Sequence, residues 1–178
     1  LVVLKTTKIE DDRGHLTRYF CDEELGTRGW NGPLAQINFT KTLVKGTVRG
    51  FHFQHPPAAE YKYVRCIKGE VYDVALDLRF NSPTLLKSHA EILSENNETS
   101  FLIPPGVAHG FQSLTDNVEL IYFHSSRYSP NLEDGINPLD PHINIVWPEA
   151  VSNISRKDKE RAYITEEFEG VKVELSTL

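Results

Sequence analysis

Short runs of alternating apolar and polar residues, separated by turn residues, constrain the fold of this chain more than any other feature of its sequence. Residues 70–78 are the clearest case, because Tyr72 and Val74 share one face and Val71 and Asp73 share the other. Clusters of Gly, Pro, Asn and Asp separate such runs and favour tight turns. The pattern predicts an all-β fold, an antiparallel β-sandwich or jelly roll. Similar runs occur at 36–42, 48–54, 61–67, 91–93, 100–103, 108–114 and 118–125.

The rest of the sequence predicts only two short peripheral helices, at 22–25 and 157–163. No internal repeat, low-complexity tract or linker divides the 178 residues, so we expect one domain over residues 1–178. A chain of this length buries roughly 70% of its unfolded surface. It can therefore form a core without disulfides or metals.

Charge and cysteine content exclude several classes of partner. The chain has 19 basic and 25 acidic residues, a net charge of −6, which argues against nucleic acid. No apolar run approaches the roughly 18 residues that span a bilayer, so no membrane is expected. The first residues give way at once to charged sequence and show no signal peptide. Cys21 and Cys66 fit no metal or disulfide pattern, Cys66 is predicted to be a buried thiol, and a cytoplasmic location is expected.

Polar residues on predicted strands mark a candidate cavity. His52 and Gln54 share one face of the run at 48–54. Lys62 alternates with apolar neighbours, so it either extends to water at a strand end or lies in a cavity with a partner. Tyr122 either packs in the core with its hydroxyl bonded or faces the same cavity. His109 follows the Pro-Pro-Gly turn at 104–106 and completes the candidate set.

A metal site is one alternative. Metal-binding jelly rolls often use a His-x-His…Glu segment and a later His after Pro-x-Gly. Here Gln54 stands at the position of the second His, which leaves His52, Glu60 and His109 as an incomplete ligand set. Losing one imidazole ligand argues against a bound metal, so no metal is expected.

Taken together, the motifs resemble the dTDP-4-dehydrorhamnose 3,5-epimerase family of the cupin superfamily. They occur in the family's order over about residues 9–160: Asp-Arg-Gly at 12–14, Gln-Ile-Asn at 36–38, Arg-Gly-Phe-His-Phe-Gln at 49–54, Lys-Tyr-Val-Arg-Cys at 62–66, the run at 69–79, Ser-Pro-Thr at 82–84, Leu-Ser at 93–94, Ile-Pro-Pro-Gly-Val-Ala-His-Gly-Phe at 103–111, Tyr-Ser-Pro at 128–130, Asp-Pro at 140–141, Trp-Pro at 147–148 and Lys-Asp at 157–158. The resemblance implies a cupin-type jelly roll and an epimerase of nucleotide-diphosphate 4-keto-6-deoxyhexoses in deoxysugar biosynthesis. The family works without a metal or organic cofactor.

The resemblance also implies catalytic roles. The C4 ketone acidifies the protons on C3 and C5, so His52 would act as the base and Asp158 would orient its imidazole. Lys62 would stabilise the enolate oxygen. Tyr122 would return a proton from the opposite face of the ring. The enzyme would invert C3, C5 or both.

Binding residues and subunit structure follow from the same resemblance. Arg13, Gln36, Arg49 and His109 match positions near the diphosphate, and Tyr128 matches an aromatic near the nucleotide or sugar. Simple alternation places Arg49 opposite His52, so both reach one ligand only if Gly50 marks a bulge or if Arg49 serves a neighbouring subunit. The family implies homodimers with exchanged N-terminal strands.

One departure concerns base recognition, and three other functions stay open. Arg18 stands where the family has a Glu that helps to hold thymine, so a CDP, GDP or UDP sugar is an alternative to a dTDP sugar.

The alternative functions are a sugar-nucleotide 3,4-ketoisomerase of the same fold, a metal-binding cupin, and a non-catalytic sugar-nucleotide binding module. The third predicts loss of at least one of His52, Lys62 and Tyr122, yet all three are present.

Overall fold

The structure is a computed structural model that describes residues 1–173. Its helices are α1 (Asp22–Gly26), α2 (Arg156–Lys159) and a 3-10 turn at Pro141–Ile143. Its strands are β1 (Val2–Lys5), β2 (Lys8–Asp11), β3 (Gly14–Thr17), β4 (Gln36–Thr42), β5 (Thr47–Gln54), β6 (Lys62–Lys68), β7 (Glu70–Asp77), β8 (Ser88–Ser94), β9 (Thr99–Ile103), β10 (Val107–Ser113), β11 (Val118–His124), β12 (Glu133–Gly135) and β13 (Asn153–Ile154). None of the helices in this range is long and apolar enough to cross a membrane.

Two facing sheets form a β-sandwich. The five-stranded sheet has the order β1-β9-β6-β11-β4, and the six-stranded sheet has the order β12-β5-β10-β7-β8 with β13 beside β5. Neighbouring strands are antiparallel except for β13, which runs parallel to β5. The strands β2 and β3 form a separate hairpin. The predicted all-β, cupin-type jelly roll is confirmed.

Apolar clusters cover both faces of the sheets, which explains why central strands are buried on two sides. The cluster between the sheets includes Val64, Phe101 and Leu120. A second cluster packs C-terminal segments against the outside of the six-stranded sheet, and a third packs α1 and Trp30 against the outside of the five-stranded sheet. Cys66 lies in the central cluster as a buried, free thiol, and burial raises its pKa to about 12.

Most predicted strands are present within a few residues of the expected bounds, but the second helix is shorter than predicted. The helical stretch expected at 157–163 is the single turn Arg156–Lys159, capped by the Ser155 side chain. Beyond it, Arg161 turns back to pair with Glu133 and Asp134 at the edge of the sheet. The end of the domain predicted over 1–178 lies outside the described residues.

A bulge interrupts the pairing of β5 with β10. His52 lies opposite His109 and Arg49 opposite Phe111, so two residues of β5 face one residue of β10. Gly50 has a φ of 119°, and a Cβ there would lie 2.5 Å from the Gly110 Cα. The bulge therefore needs glycine at position 50, and it shifts the alternation of side chains along β5.

Candidate active site

A cavity of about 460 Å³ opens between the two sheets, within the usual range of small-ligand pockets. Alternate residues of β4 and β11, together with Lys62 at the start of β6, form one wall, while residues of β5 and β10 form the other. Of the predicted site residues, the cavity brings together His52, Tyr122, Lys62, Asp158, Gln36, Arg49, His109 and Tyr128. Because of the bulge at Gly50, Arg49 and His52 line the same cavity. Simple alternation would have placed them on opposite faces of β5.

His52 and Asp158 form a hydrogen-bonded pair at one side of the cavity. His52 Nε2 lies 2.7 Å from Asp158 Oδ1, and the Asp158 side chain is 4% exposed. Burial alone would raise the pKa of Asp158, but the hydrogen bonds from His52, Ser155 and the Gly50 amide hold it below its usual value. The ionised carboxylate accepts the Nε2 proton, so the neutral ring has Nδ1 as its basic nitrogen.

Lys62 is buried within the cavity and does not extend to bulk water. The residue is 9% exposed, and its Nζ lies 3.6 Å from Glu60 Oε1. Glu60 is desolvated, yet the hydrogen bond from His124 and the charge of Lys62 keep the pKa of Glu60 below its usual value. At 3.6 Å the ion pair is longer than a hydrogen bond, so the ammonium retains N–H donors for a ligand.

Tyr122 and His109 come from facing sheets, and their rings meet edge to face with centroids 5.9 Å apart. The Tyr122 hydroxyl lies 3.4 Å from Thr40 Oγ1, and burial raises the pKa of this phenol well above its ordinary value. His109 Nε2 lies 2.9 Å from both carboxylate oxygens of Asp73, which is fully buried. The sequence left two alternatives for Tyr122, packing in the core with its hydroxyl bonded or facing the cavity. In the structure both hold, because Tyr122 is buried with a bonded hydroxyl and also lines the cavity.

The mouth of the cavity carries groups suited to a polar ligand. Arg49 is exposed there and donates from Nε to Thr42 Oγ1 at 3.1 Å. Tyr128 is 54% exposed, and its backbone N–H donates to Gln36 Oε1 at 3.0 Å. An arginine fork and an aromatic ring at one opening can bind phosphate oxygens and stack on a planar base.

Two arginines singled out in the sequence lie outside this cavity. Arg13 is in the turn between β2 and β3, its side chain is 85% exposed, and it pairs with Asp11. The structure therefore does not bring Arg13 to the other predicted binding residues of its own chain. Arg18 pairs with Glu24 on the surface and borders a separate groove near the N-terminal segment.

The cavity lining also includes polar residues outside the predicted site set, among them Asn38, Glu60 and His124. His124 is two residues from Tyr122 in the run at 118–125, so alternation places both on one face, and this sequence signal could have identified it. Glu60 was considered only as a metal ligand. In the structure, His52, Glu60 and His109 bind different partners, namely Asp158, His124 and Asp73. Within residues 1–173, no group of three His, Cys, Asp or Glu side chains is arranged to hold a metal ion.

The fold and the cavity together define a class of protein. A cupin-type sandwich encloses a histidine bound to an ionised carboxylate, a buried lysine and a protonated tyrosine within one pocket. These groups can remove a proton, stabilise the resulting anion and return a proton. The class is an acid–base enzyme of the cupin fold.

Comparison with known proteins identifies the family. The family model described as dTDP-4-dehydrorhamnose 3,5-epimerase matches residues 1–166. The chain is 45% identical over 152 residues to a dTDP-4-dehydrorhamnose 3,5-epimerase of Shigella flexneri, covering 83% of this chain and 82% of that protein. It is 37% identical over 157 residues to a dTDP-4-dehydrorhamnose 3-epimerase of Streptomyces niveus, covering 88% and 75% respectively.

A solved structure gives the same result. The dTDP-6-deoxy-D-glucose-3,5-epimerase of Legionella pneumophila, in complex with dTDP-4-keto-L-rhamnose, superposes with a TM-score of 0.88 at 32% identity. The superposition covers 97% of this chain and 93% of that chain. The chain belongs to the dTDP-4-dehydrorhamnose 3,5-epimerase family and is an isomerase. The epimerase function predicted from the sequence is confirmed at this level.

Proposed function

We propose that this protein inverts C3, C5 or both in a nucleotide-diphosphate 4-keto-6-deoxyhexose, by proton removal and return through an enolate. The observation that carries the proposal is that the His52–Asp158 pair, Lys62 and Tyr122 all face one cavity. Inversion needs a base and an acid on opposite faces of the sugar ring. His52 comes from the six-stranded sheet and Tyr122 from the five-stranded sheet, which supports such an arrangement.

Each catalytic group has a distinct role in the proposed reaction. His52 Nδ1 takes the proton from the carbon beside the C4 ketone, and Asp158 stabilises the imidazolium that forms. Lys62 donates to the enolate oxygen, where negative charge is greater in the transition state than in the substrate. Tyr122 delivers a proton to the opposite face. No metal or organic cofactor takes part in this scheme.

The nucleotide-diphosphate part of the substrate is assigned to the mouth of the cavity. Arg49 and Gln36 contact the diphosphate there, His109 reaches it from deeper in the cavity beside Tyr122, and Tyr128 contacts the nucleotide or sugar. Arg13 does not line the cavity of its own chain, so we assign it to the site of a second subunit. Base recognition is proposed for the thymine of dTDP, as in the related structure bound to dTDP-4-keto-L-rhamnose.

A homodimer accounts for the position of Arg13 and for an exposed apolar surface. Ile9 and Leu16 on the β2–β3 hairpin are 67% and 66% exposed, and Ile37 and Phe39 on β4 are 53% and 56% exposed. Apolar surface of this kind marks an interaction site. We further propose a single domain over 1–178 and a cytoplasmic location, the latter because both cysteines are free thiols.

Incubation with 4-keto sugars in deuterated water tests the proposal. The panel contains dTDP-, UDP-, CDP- and GDP-linked 4-keto-6-deoxyglucose, and proton NMR follows the ring hydrogens. We expect deuterium at C3, C5 or both, together with inverted products, for the dTDP compound first. Deuterium uptake without inversion, or no uptake with any member of the panel, would contradict the proposed function.

A further inference from the structure

A second histidine–carboxylate pair lies in the cavity beside Lys62. His124 Nδ1 lies 3.0 Å from Glu60 Oε2, and both side chains are only 10% exposed. His124 is also the direct cross-strand neighbour of Lys62, between β11 and β6. The other oxygen of Glu60, Oε1, faces the Lys62 ammonium at 3.6 Å. One carboxylate is therefore shared by an imidazole and an ammonium.

The direction of this hydrogen bond follows from one backbone donor. The Tyr128 N–H can only donate, so it fixes Gln36 Oε1 towards itself and leaves Gln36 Nε2 to donate to Asn38 Oδ1 at 3.0 Å. Asn38 Nδ2 then lies 3.4 Å from His124 Nε2 and can only donate to it. His124 Nε2 must accept, so the proton of the neutral ring is on Nδ1 and is donated to Glu60.

The result is a hydrogen-bonded series from Tyr128 through Gln36, Asn38 and His124, in which every donor points towards the carboxylate of Glu60. The ammonium of Lys62 faces the other oxygen of that carboxylate. Asn38 is exposed at the mouth of the cavity, whereas His124 and Lys62 are buried. The series therefore runs from the cavity mouth to its interior. Its inner members, His124 and Glu60, are buried, and a hydrogen bond in such a setting fixes its partners more firmly than it does in water.

We propose that His124 is a positioning residue for Lys62, which it holds by fixing the Glu60 carboxylate. With Oε2 engaged by His124, Glu60 presents Oε1 to Lys62 at ion-pair distance and leaves the ammonium donors free for the developing oxyanion. Without His124, the carboxylate is free to bind Lys62 directly through both oxygens, which withdraws the ammonium from the substrate. The inference rests on the proposed role of Lys62 in the epimerase reaction.

Two substitutions at position 124 separate positioning from packing. His124→Leu keeps a buried side chain of similar bulk but cannot donate to Glu60, whereas His124→Asn places an amide N–H close to the position of Nδ1. We expect His124→Leu to lower kcat roughly tenfold or more, with KM changed by less than about threefold, because the lost contact acts on the oxyanion. His124→Asn should restore most of the lost kcat. Equal losses in both variants, or no loss in His124→Leu, would overturn the proposal.

A double-mutant cycle tests whether His124 acts through Glu60. In the Glu60→Gln background, we expect His124→Leu to cost less than about twofold in kcat, since the carboxylate that it positions has been removed. The same cost in both backgrounds would contradict the inference. The matched control is His89→Leu, because His89 also pairs with a carboxylate, Glu91, but is half exposed on β8 outside the cavity. This control should leave kcat and KM unchanged.

A substrate-free measurement distinguishes failure of this inference from failure of the proposed function. Nitrogen-15 NMR of the histidine rings should show His124 as the Nδ1–H tautomer, and the Lys62 ammonium signal should shift in His124→Leu but return towards the wild-type position in His124→Asn. If no 4-keto sugar is turned over, the proposed function fails. The His124 and Lys62 signals then still show whether His124 positions Lys62 through Glu60. An Nε2–H tautomer, or an unmoved Lys62 signal, would overturn the contact itself.

Discussion

His52 and Tyr122 are prepared for proton transfer in opposite ways. The His52 side chain is 39% exposed and bound to a buried, ionised carboxylate, an arrangement that favours a ring able to accept a proton. Tyr122 is buried beside Thr40, and its raised pKa keeps the phenol protonated at neutral pH. These environments agree with the proposed roles, in which His52 takes a proton and Tyr122 gives one.

Replacing the base should abolish turnover without loss of nucleotide binding. His52→Asn removes the only atom proposed to accept the proton, and a positioned base contributes roughly 10²–10⁴-fold to the rate. We expect loss of deuterium exchange at C3 and C5, measured by NMR, with dTDP affinity by calorimetry close to the wild-type value. Exchange at the wild-type rate in this variant would show that another group is the base.

Replacing the acid should separate exchange from inversion. Tyr122→Phe keeps the ring in the cavity but removes the proton that is delivered to the second face. We expect deuterium exchange to remain measurable while inversion slows, most clearly at C5. Thr40→Val is the matched control, because it removes the hydroxyl partner of Tyr122 and leaves the phenol in place. Simultaneous loss of exchange and inversion in Tyr122→Phe would argue that no separate acid exists.

At this scale, the sequence indicates residue types better than it indicates partners. The roles of His52, Lys62 and Tyr122 follow from a family resemblance. Alternation alone leaves Lys62 with the alternative of extending to water, and Tyr122 with that of packing in the core. The contact of Glu60 with His124 joins residues 64 positions apart and depends on the register between β6 and β11. Periodicity within one strand carries no information on register, so this pair could not be derived from it.

Among the elements, the bulge in β5 has the greatest effect on the cavity. It places Arg49 and His52 on one side of the strand, and the Gly50 amide contributes a hydrogen bond to Asp158. Strict alternation would have separated Arg49 from His52 by the full thickness of the sheet. A glycine within a predicted strand was the only sequence sign of this irregularity.

A methyl group at position 50 should disrupt the bulge. In Gly50→Ala, the added Cβ would meet the Gly110 Cα at 2.5 Å and the His109 backbone oxygen at 2.7 Å, and φ is in a region that favours glycine. We expect a lower midpoint of thermal unfolding and at least a tenfold loss of activity, roughly the effect of misplacing a catalytic base. Gly26→Ala is the control, because nothing lies within 4 Å of a Cβ at that position. A fully active, equally stable Gly50→Ala would contradict the assigned role of the bulge.

The loop between β7 and β8 provides a prediction about pH. Asp77 accepts hydrogen bonds from Arg79, Ser82 and Thr84, which outweigh the effect of burial and lower its pKa. Its contribution to folding is therefore present above its unfolded pKa of about 4 and is lost as pH falls below that value. We expect Asp77→Asn to lower the free energy of unfolding by roughly 2 kcal/mol at pH 7.

Urea unfolding at pH 7 and at pH 3 checks this sign. The difference between wild type and Asp77→Asn should narrow at the lower pH, because the wild-type carboxylate then loses its advantage. Glu24→Gln is the control, since Glu24 pairs with Arg18 on the surface and should have little effect at either pH. A difference that widens at pH 3 would contradict the assignment.

The three N-terminal strands that sequence analysis missed lack a polar–apolar alternation in their sequence. The hairpin β2–β3 is mostly exposed, and β1 pairs with β9 alone at the edge of its sheet. Val2 and Leu4 of β1 pack against the cluster outside the five-stranded sheet, but Val3 between them is also apolar, so the sequence shows no alternation there. The central strands β5, β7, β10 and β11 were predicted almost to their observed bounds for the opposite reason.

For the whole molecule, the exposed apolar surface on β4 and the β2–β3 hairpin predicts association of two copies. Phe39→Asp introduces a charge into that surface and should convert a dimer into a monomer in sedimentation velocity experiments, because burying an unpaired carboxylate is costly. Val146→Asp is the control, since Val146 is 77% exposed on a C-terminal segment away from β4. A monomeric wild-type protein, or a dimeric Phe39→Asp variant, would contradict the proposed assembly.

Successive residues of β4 face alternately into the cavity and out to the surface of the molecule. Gln36, Asn38 and Thr40 line the cavity, while Ile37 and Phe39 point outward from the edge of the sheet. The proposed substrate site and the proposed dimer surface are therefore encoded at even and odd positions of one seven-residue segment. A single inserted or deleted residue there would exchange the two sets at once. Evolution can vary this segment by substitution, one face at a time, but not by changing its length.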